Sequence, residues 1–312
     1  MLLANQMTLQ AGLETTPGTD PVLTGTAGFL AYDININPAA GTFSEDRPAS
    51  ADWGADLNEP SEVYQTLTFK TPFAGSGAAG TAAYYGCLMQ ACGLLETITE
   101  TTKVEYTTQN WVEATAKASS IYFDWGGVMH KMPMSRGTLS IVWARNTVPM
   151  LQWSMTGLAT PAADVAFPDV KSTVAALLRG VPMNKANTII SIHGITPPVE
   201  SLQIDLGNVV AYSNVANSEL VAITDRIVTG TIQFRKQPIA TFDPVARYKA
   251  KTTGTLSLTH GTVAGNIVKI DGARVQFGQP THANVNGFLC DSIPLRFAKA
   301  PAGNGDLKLT VQ

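Results

Sequence analysis

Between Ala74 and Leu95 the chain reads AGSGAAGTAAYYGCLMQACGLL, a loop of small residues running into a short helix that has no polar face. A helix of that kind has to be buried against another part of the fold. The loop carries Gly75-x-Gly77-x-x-Gly80 after a strand expected over Val63 to Thr71, which is the spacing of a dinucleotide-binding turn. That chemistry requires a βαβ unit with an acidic residue closing the next strand. The helix instead leads into ETITETTKVEY, a polar β-type run. The flanking pattern therefore favours the other reading, in which glycine and alanine let the loop lie tightly on a neighbouring surface.

At 312 residues the chain is long enough for one large or two ordinary domains, each with its own core. Only 14% of residues are charged, against the usual quarter. Such a surface is poorly soluble as a lone monomer, so the composition points to an assembling protein. The charges are also unevenly placed. Residues 1 to 66 hold nine carboxylates and one base, a net of −8, so the remainder carries +5 of the total of −3. Arg235, Lys236, Arg247, Lys249 and Lys251 form a basic cluster far along the chain. Acidic and basic segments of different copies could pair head-to-tail, with electrostatics setting orientation. Two separately solvated faces account for the same pattern.

Cys87, Cys92 and Cys290 form no CxxC, and an odd count at these spacings is no disulfide framework. Cys87 and Cys92 lie on the apolar helix and read as small core residues, which fits folding in a reducing cytoplasm. The N-terminus lacks a basic n-region, and no run of about 18 apolar residues occurs, so neither standard export nor membrane insertion is expected. His130, His193, His260 and His282 stand singly, without metal-ligand spacing. No phosphate-binding loop, nucleophile elbow or apolar carboxylate pair is present. No catalytic, cofactor-binding or metal residue is assigned, and a structural or binding protein is expected rather than an enzyme. With a pI near 5.8 the basic footprint of a nucleic-acid reader is missing.

The organisation is mainly β. Residues 1–60 read as an extended acidic arm and loops around one strand, Phe29 to Ile36, belonging to a first β domain. Residues 61–160 complete that domain. Strands are expected at Val63 to Thr71, Ala118 to Trp125, Gly127 to Met132, Gly137 to Ala144 and Met150 to Gly157. Residues 161–187 read as a Pro-punctuated linker with a short helical piece at Thr173 to Leu178. Residues 188–312 form a second β domain, with strands at Thr188 to Ile195, Leu202 to Leu206, Gly230 to Gln237, Gly254 to His260, Asn266 to Phe277, Gly287 to Phe297 and Leu307 to Val311. The pair AYDININPAAG and QTLTFKTPF has a counterpart in LQIDLGNVVAY and GTIQFRKQPI, the same order of strand, turn, loop and strand ending in Pro. The identity is too thin to establish duplication but the order admits it.

The ordered set of features resembles the tail tube (major tail) proteins of long-tailed, siphovirus-type bacteriophages. The residues that carry the resemblance begin with Glu14-Thr-Thr-Pro-Gly-Thr-Asp20-Pro21 and continue through the Gly75 to Thr81 loop and its helix, Tyr85-Gly-x-Leu88-x-x-Ala91-Cys-Gly93. The Tyr106 strand, the hairpin of Ile121 to Met132 and Arg136-Gly-Thr come next, then Leu206-Gly-Asn208, Asp225-Arg226 and Asn286-Gly-Phe288. Ala82-Ala83 stand where the family often carries Pro. The match covers nearly the whole chain, and only the ordered set is specific.

The resemblance implies a tail-tube-type β-sandwich, duplicated or not, with one short buried helix and an extended N-terminal arm. Its inner sheets would join those of neighbouring copies into a ring, and rings would stack into the tube through which the genome is ejected. Three copies make a pseudo-sixfold ring if the domain is duplicated, six if it is not; three is the reading taken. By analogy Gly75, Ser76, Gly77, Gly80, Glu14 and Asp20 would contact the adjacent ring. Asp52, Asp56, Arg235, Lys236 and Lys249 are candidates for charges at the lumen or between subunits. Implied partners are further copies of the chain, a tape measure protein in the lumen, tail terminator and baseplate proteins, and passing double-stranded DNA held without tight binding. The implied location is the virion tail, with assembly in the host cytoplasm. The rivals are another virion part (terminator, baseplate or capsid) and a carbohydrate-binding β-sandwich using Trp53, Trp111, Trp125, Trp143 or Trp153 as a sugar platform.

Overall fold

The computed structural model describes residues 5–45, 53, 57–301 and 303–312. The first half runs β1 (Met7–Leu13), β2 (Tyr32–Glu45), β3 (Asn58–Pro72), α1 (Gly86–Ala91), β4 (Leu94–Thr99), β5 (Lys103–Thr108), β6 (Ser119–Trp125), β7 (Val128–Ala144), β8 (Met150–Leu158) and the two-residue β9 (Ala163–Asp164). The second runs α2 (Lys171–Ala176), β10 (Thr188–Ile192), β11 (Val199–Asp205), β12 (Asn208–Val215), β13 (Ser218–Arg226), β14 (Thr229–Arg235), α3 (Pro244–Lys249), β15 (Thr253–His260), β16 (Val268–Phe277), β17 (Thr281–Val285), β18 (Phe288–Phe297) and β19 (Lys308–Val311).

The protein is mainly β, with one large antiparallel sheet and few short helices. Its main row is β2–β3–β8–β7–β11–β14–β18–β17. A second row, β10–β15–β16–β19–β5–β4, joins it where the end of β16 pairs with β18. Strands β1 and β6 extend the early part of β7. Only β12 and β13 stand apart among the described residues, as a separate hairpin.

Period-two alternation decides which face of the main row is dry. Phe69, Trp153, Leu139, Ile141, Trp143, Leu202, Ile232, Phe234 and Ile293 all point to one side and are buried. The second row faces them: the Trp143 and His260 rings lie 6.3 Å apart, and Phe242 bridges Phe234 at 6.1 Å and Phe277 at 6.0 Å. Both halves of the chain contribute to one contiguous core.

Helix α1 meets the expectation set by its missing polar face. Leu88, Met89 and Ala91 are fully buried, and burial pushes the Cys87 thiol up to about 12. The Tyr85 hydroxyl donates to the Ala74 carbonyl at 2.6 Å, tying the helix to the loop before it.

The structure corrects the sequence reading in several places. Residues 1–60 do not hold a single strand: β1 is paired along its whole length with β6, and β2 extends to Glu45. Strand β1 escaped because Gln10, Ala11 and Gly12 give it little hydrophobic weight, although Leu9, Gln10 and Ala11 are buried. The two strands expected at Gly127 to Met132 and Gly137 to Ala144 are one, β7, which continues through Pro133 with Met134 at φ +52°. Unanticipated are β12, β13, β17 and α3. The last had a readable signal, since Asp243 accepts from the Val245 and Ala246 amides and Pro244 opens the helix. The helical piece of the 161–187 segment lies at Lys171–Ala176 rather than Thr173 to Leu178.

His193 and His260 sit inside this core as neutral rings. Nε2 of each donates to a carbonyl, that of Val275 at 2.8 Å and that of Val181 at 3.0 Å. Burial holds both imidazoles below the ordinary histidine value, with the Arg247 charge adding to it at His193. Above about pH 6.5 neither the folded nor the unfolded chain binds these protons. Below it the unfolded chain takes up protons that the folded one refuses, so stability falls as the pH drops towards the depressed folded values. The urea midpoint should therefore decline between about pH 6.5 and pH 5, and His260→Gln should flatten that slope; an unchanged slope would contradict this account.

Candidate assembly interface

The glycine-rich loop spends its backbone inside the chain. The Gly75 amide donates to Asn266 Oδ1 and the Gly77 amide to the Gly265 carbonyl, both at 2.9 Å. A Cβ on Gly75 would collide with the Gly265 carbonyl, and one on Gly80 with the Thr101 amide. Ser76 donates its hydroxyl to the Ala78 carbonyl at 2.8 Å within the same turn and is half-buried. The loop thus lies on the 261–266 turn of the second half, as tight packing of small residues allows.

Of the acidic candidates, Glu14 is buried at 1% exposure. Its carboxylate accepts from the Gly18 amide at 2.6 Å, the Ser120 hydroxyl at 2.6 Å and the Met134 amide at 2.7 Å, leaving nothing for a neighbouring ring. Asp20 is half-exposed and accepts from the Tyr122 hydroxyl and from Lys131 Nζ at 3.2 Å. Partial burial opposes its charge, but those two bonds and the Val22 amide hold its carboxyl below the usual range. Asp52 and Asp56 lie outside the described residues.

Two of the five members of the basic cluster meet carboxylates within the chain. Arg235 Nε donates to Glu200 at 2.9 Å with its guanidinium 3.7 Å over the Phe288 ring, and Lys236 donates to buried Asp291 at 3.1 Å. Arg247 lies 4.7 Å over Phe242. Lys249 is exposed in the last turn of α3, where a cation complements the carbonyl end of a helix.

What the structure brings together instead is a repeated four-strand unit. The first unit has the order β2–β3–β8–β7 and the second β11–β14–β18–β17. In each, the first and second strands are neighbours and the fourth lies between the second and third. Leu67-Thr-Phe69-Lys70 on β3 has its counterpart in Ile232-Gln-Phe234-Arg235 on β14, with Leu67, Phe69, Ile232 and Phe234 all buried. The ion pair of each unit also matches: Lys70 to Asp33 at 2.7 Å, Arg235 to Glu200 at 2.9 Å. One hairpin follows the first strand of both, the far part of β2–β3 and β12–β13, and the two meet through Tyr64 and Tyr212 at 4.9 Å.

The units are joined edge to edge by β7 and β11, with Ser140 to Ala144 opposite Asp205 to Ser201. The row then ends on β2 and β17, which among the described residues pair only with β3 and β18. Across the exposed face run rows of hydroxyls and amides: Asn35, Thr68, Ser154 and Thr138 in one, Ser201, Gln233, Ser292 and Thr281 in another. Of the tryptophans, Trp143 and Trp153 are buried in the core and Trp111 is covered by the Arg136 guanidinium at 4.7 Å, so none of these three offers a free platform.

Glu14→Ala should cost about 3 kcal/mol, because two amides and a hydroxyl lose their buried acceptor, whereas Asp20→Ala at a half-exposed site should cost about 1 kcal/mol or less. Denaturant midpoints of the two variants check this, and equal losses would contradict it. Compared with known proteins, the chain matches no family model and no curated sequence.

Proposed function

We propose that this protein is a structural subunit of a long-tailed bacteriophage virion, polymerising into stacked rings that form the tail tube through which the genome is ejected. On this reading the fold is a duplicated tail-tube-type β-sandwich, whose exposed row of strands lines the bore. The observation that carries the reading is the repeated four-strand unit joined edge to edge by β7 and β11, with the row left open at β2 and β17. Open edges invite pairing with another chain. Repeating the β7–β11 joint between β17 of one copy and β2 of the next is a head-to-tail contact, and such contacts close into rings when the rotation fits. Three copies of a two-unit chain then supply a pseudo-sixfold ring without a free edge.

The exposed face suits a conduit. Its rows are dominated by Ser, Thr, Asn and Gln, and the charges at Lys70 and Arg235 are paired with Asp33 and Glu200. A bore that neutralised phosphates would hold DNA and make its passage salt-dependent. The partners that go with this role are the tape measure protein inside the tube, the terminator and baseplate proteins at its ends, and double-stranded DNA in transit.

Electron microscopy of the purified protein, with native mass of the smallest closed species, tests the assembly. Rings or hollow tubes built from trimers are expected; a monomer that forms no polymer at any concentration would sink the proposal. Ser154→Lys with Gln203→Lys should leave tubes of ordinary length but slow ejection or retain DNA in a salt-sensitive way. Ejection indistinguishable from the parent would show that this face does not line the bore.

A further inference from the structure

The β7–β11 joint, read through the repeat, specifies how a second copy would dock. Ser154 and Ser292 occupy the same position in the two units, since each lies opposite the second residue of the LTFK or IQFR run, Thr68 in one and Gln233 in the other. Thr138 pairs with Ser154 and Thr281 with Ser292, so Val142 on β7 corresponds to Val285 on β17. On the other side, Gln203 pairs with Thr231 and Asn37 with Thr66, and Thr231 and Thr66 are equivalent, so Gln203 on β11 corresponds to Asn37 on β2. Within the chain Val142 stands opposite Gln203.

We propose that a second copy of this chain pairs its β17 edge with the β2 edge of the first in the register that places Val285 opposite Asn37. The inference rests on the tube reading above and adds to it the residues that meet. Two further features agree with it. The core, continuous across β7–β11 through Ile141, Trp143, Leu202 and Ile204, is left open at both ends of the row. On the β2 side the opening is a groove of about 380 Å³ lined by Leu9, Phe29, Leu30, Ile34, Val170 and Val174, among others. On the β17 side Leu289, which pairs with Asn284 and shares the face of buried Asp291, is 54% exposed. In the stated register Asn284 falls opposite Pro38, which places Leu289 in that row on the core side, one strand in from the joint. The edge of β2 is also interrupted by Pro38 and by a register shift between Asn37 and Ala40, which limits indiscriminate pairing.

Opposed residues of an antiparallel pair have Cα atoms about 4.5 to 5.5 Å apart, within the range a disulfide spans. The protein carrying Asn37→Cys and Val285→Cys should therefore cross-link between copies under mild oxidation. Its own Cys92 and Cys290 are buried and Cys87 is half-buried. Covalent species up to closed trimers are expected on non-reducing gels, at several-fold higher yield than with Asn35→Cys and Val285→Cys, which is two residues out of register. Leu289→Asp should leave the subunit folded and weaken ring formation at least tenfold. Rings by microscopy with equal or no linking at the two cysteine pairs would overturn the register while leaving the tube reading intact. Neither rings nor links in any variant would overturn both.

Discussion

A β-strand has to hydrogen-bond along both flanks or leave backbone groups bare, and β7 meets part of that requirement over its 17 residues with four partners in turn. Its early part lies between β6 and the short β9, and its later part between β8 and β11. Where it passes from one set to the other, Arg136 is fully buried. The guanidinium donates to Glu113 at 3.0 Å and to the Val221 carbonyl at 2.5 Å, while Nε donates to the Lys117 carbonyl at 3.2 Å. One side chain thus holds the 109–118 loop and the β12–β13 hairpin against the strand that joins the two halves. Removing a partner from such a site would leave a buried charge uncompensated.

The consequences of that joint reach both faces of the row. On the dry side Ile141 and Trp143 continue into Leu202 and Ile204, so neither half closes its own core. On the wet side Gln152, Ser140, Asp205 and Thr229 follow one another across the joint. A sheet so built has no natural stopping point within its own chain, and the exposed ends at β2 and β17 are a liability unless another chain meets them. That liability is the physical ground for the proposed assembly, and it agrees with the low fraction of charged residues.

Much of this was legible from particular residues. The apolar run Gly86 to Ala91 and its glycine loop required a buried helix and a tight contact. The strand signals at Val63 to Thr71 and Ala118 to Trp125 marked β3 and β6, although β6 is buried on both faces, Tyr122 and Asp124 included, and Trp125 at its end is exposed. The likeness of QTLTFKTPF to GTIQFRKQPI was visible, and these segments do occupy matching places in the two units. Other elements gave weak signals. Strand β1 is buried through small side chains, β17 is five residues long and mostly exposed, and β12–β13 read as loop because its alternation is diluted by Ser, Asn and Glu. Glu14 could be read as an acidic residue available for contact, because nothing local reveals that Ser120 and Met134 return to it from more than a hundred positions away.

By itself the sequence determined the local character of the chain: which segments alternate, where glycine permits close approach, which helix must be covered, and how little charge is left to keep a large surface in water. These features come from side-chain period, volume and charge, which act over a few residues. Tertiary structure alone decided that β7 meets β11, that the fourth strand of each unit lies between the second and third, that Arg235 and Lys236 are paired with Glu200 and Asp291, and which two edges remain open. Those outcomes depend on backbone hydrogen bonds between strands distant in sequence, and a backbone bond leaves no mark on the identity of the residue that makes it.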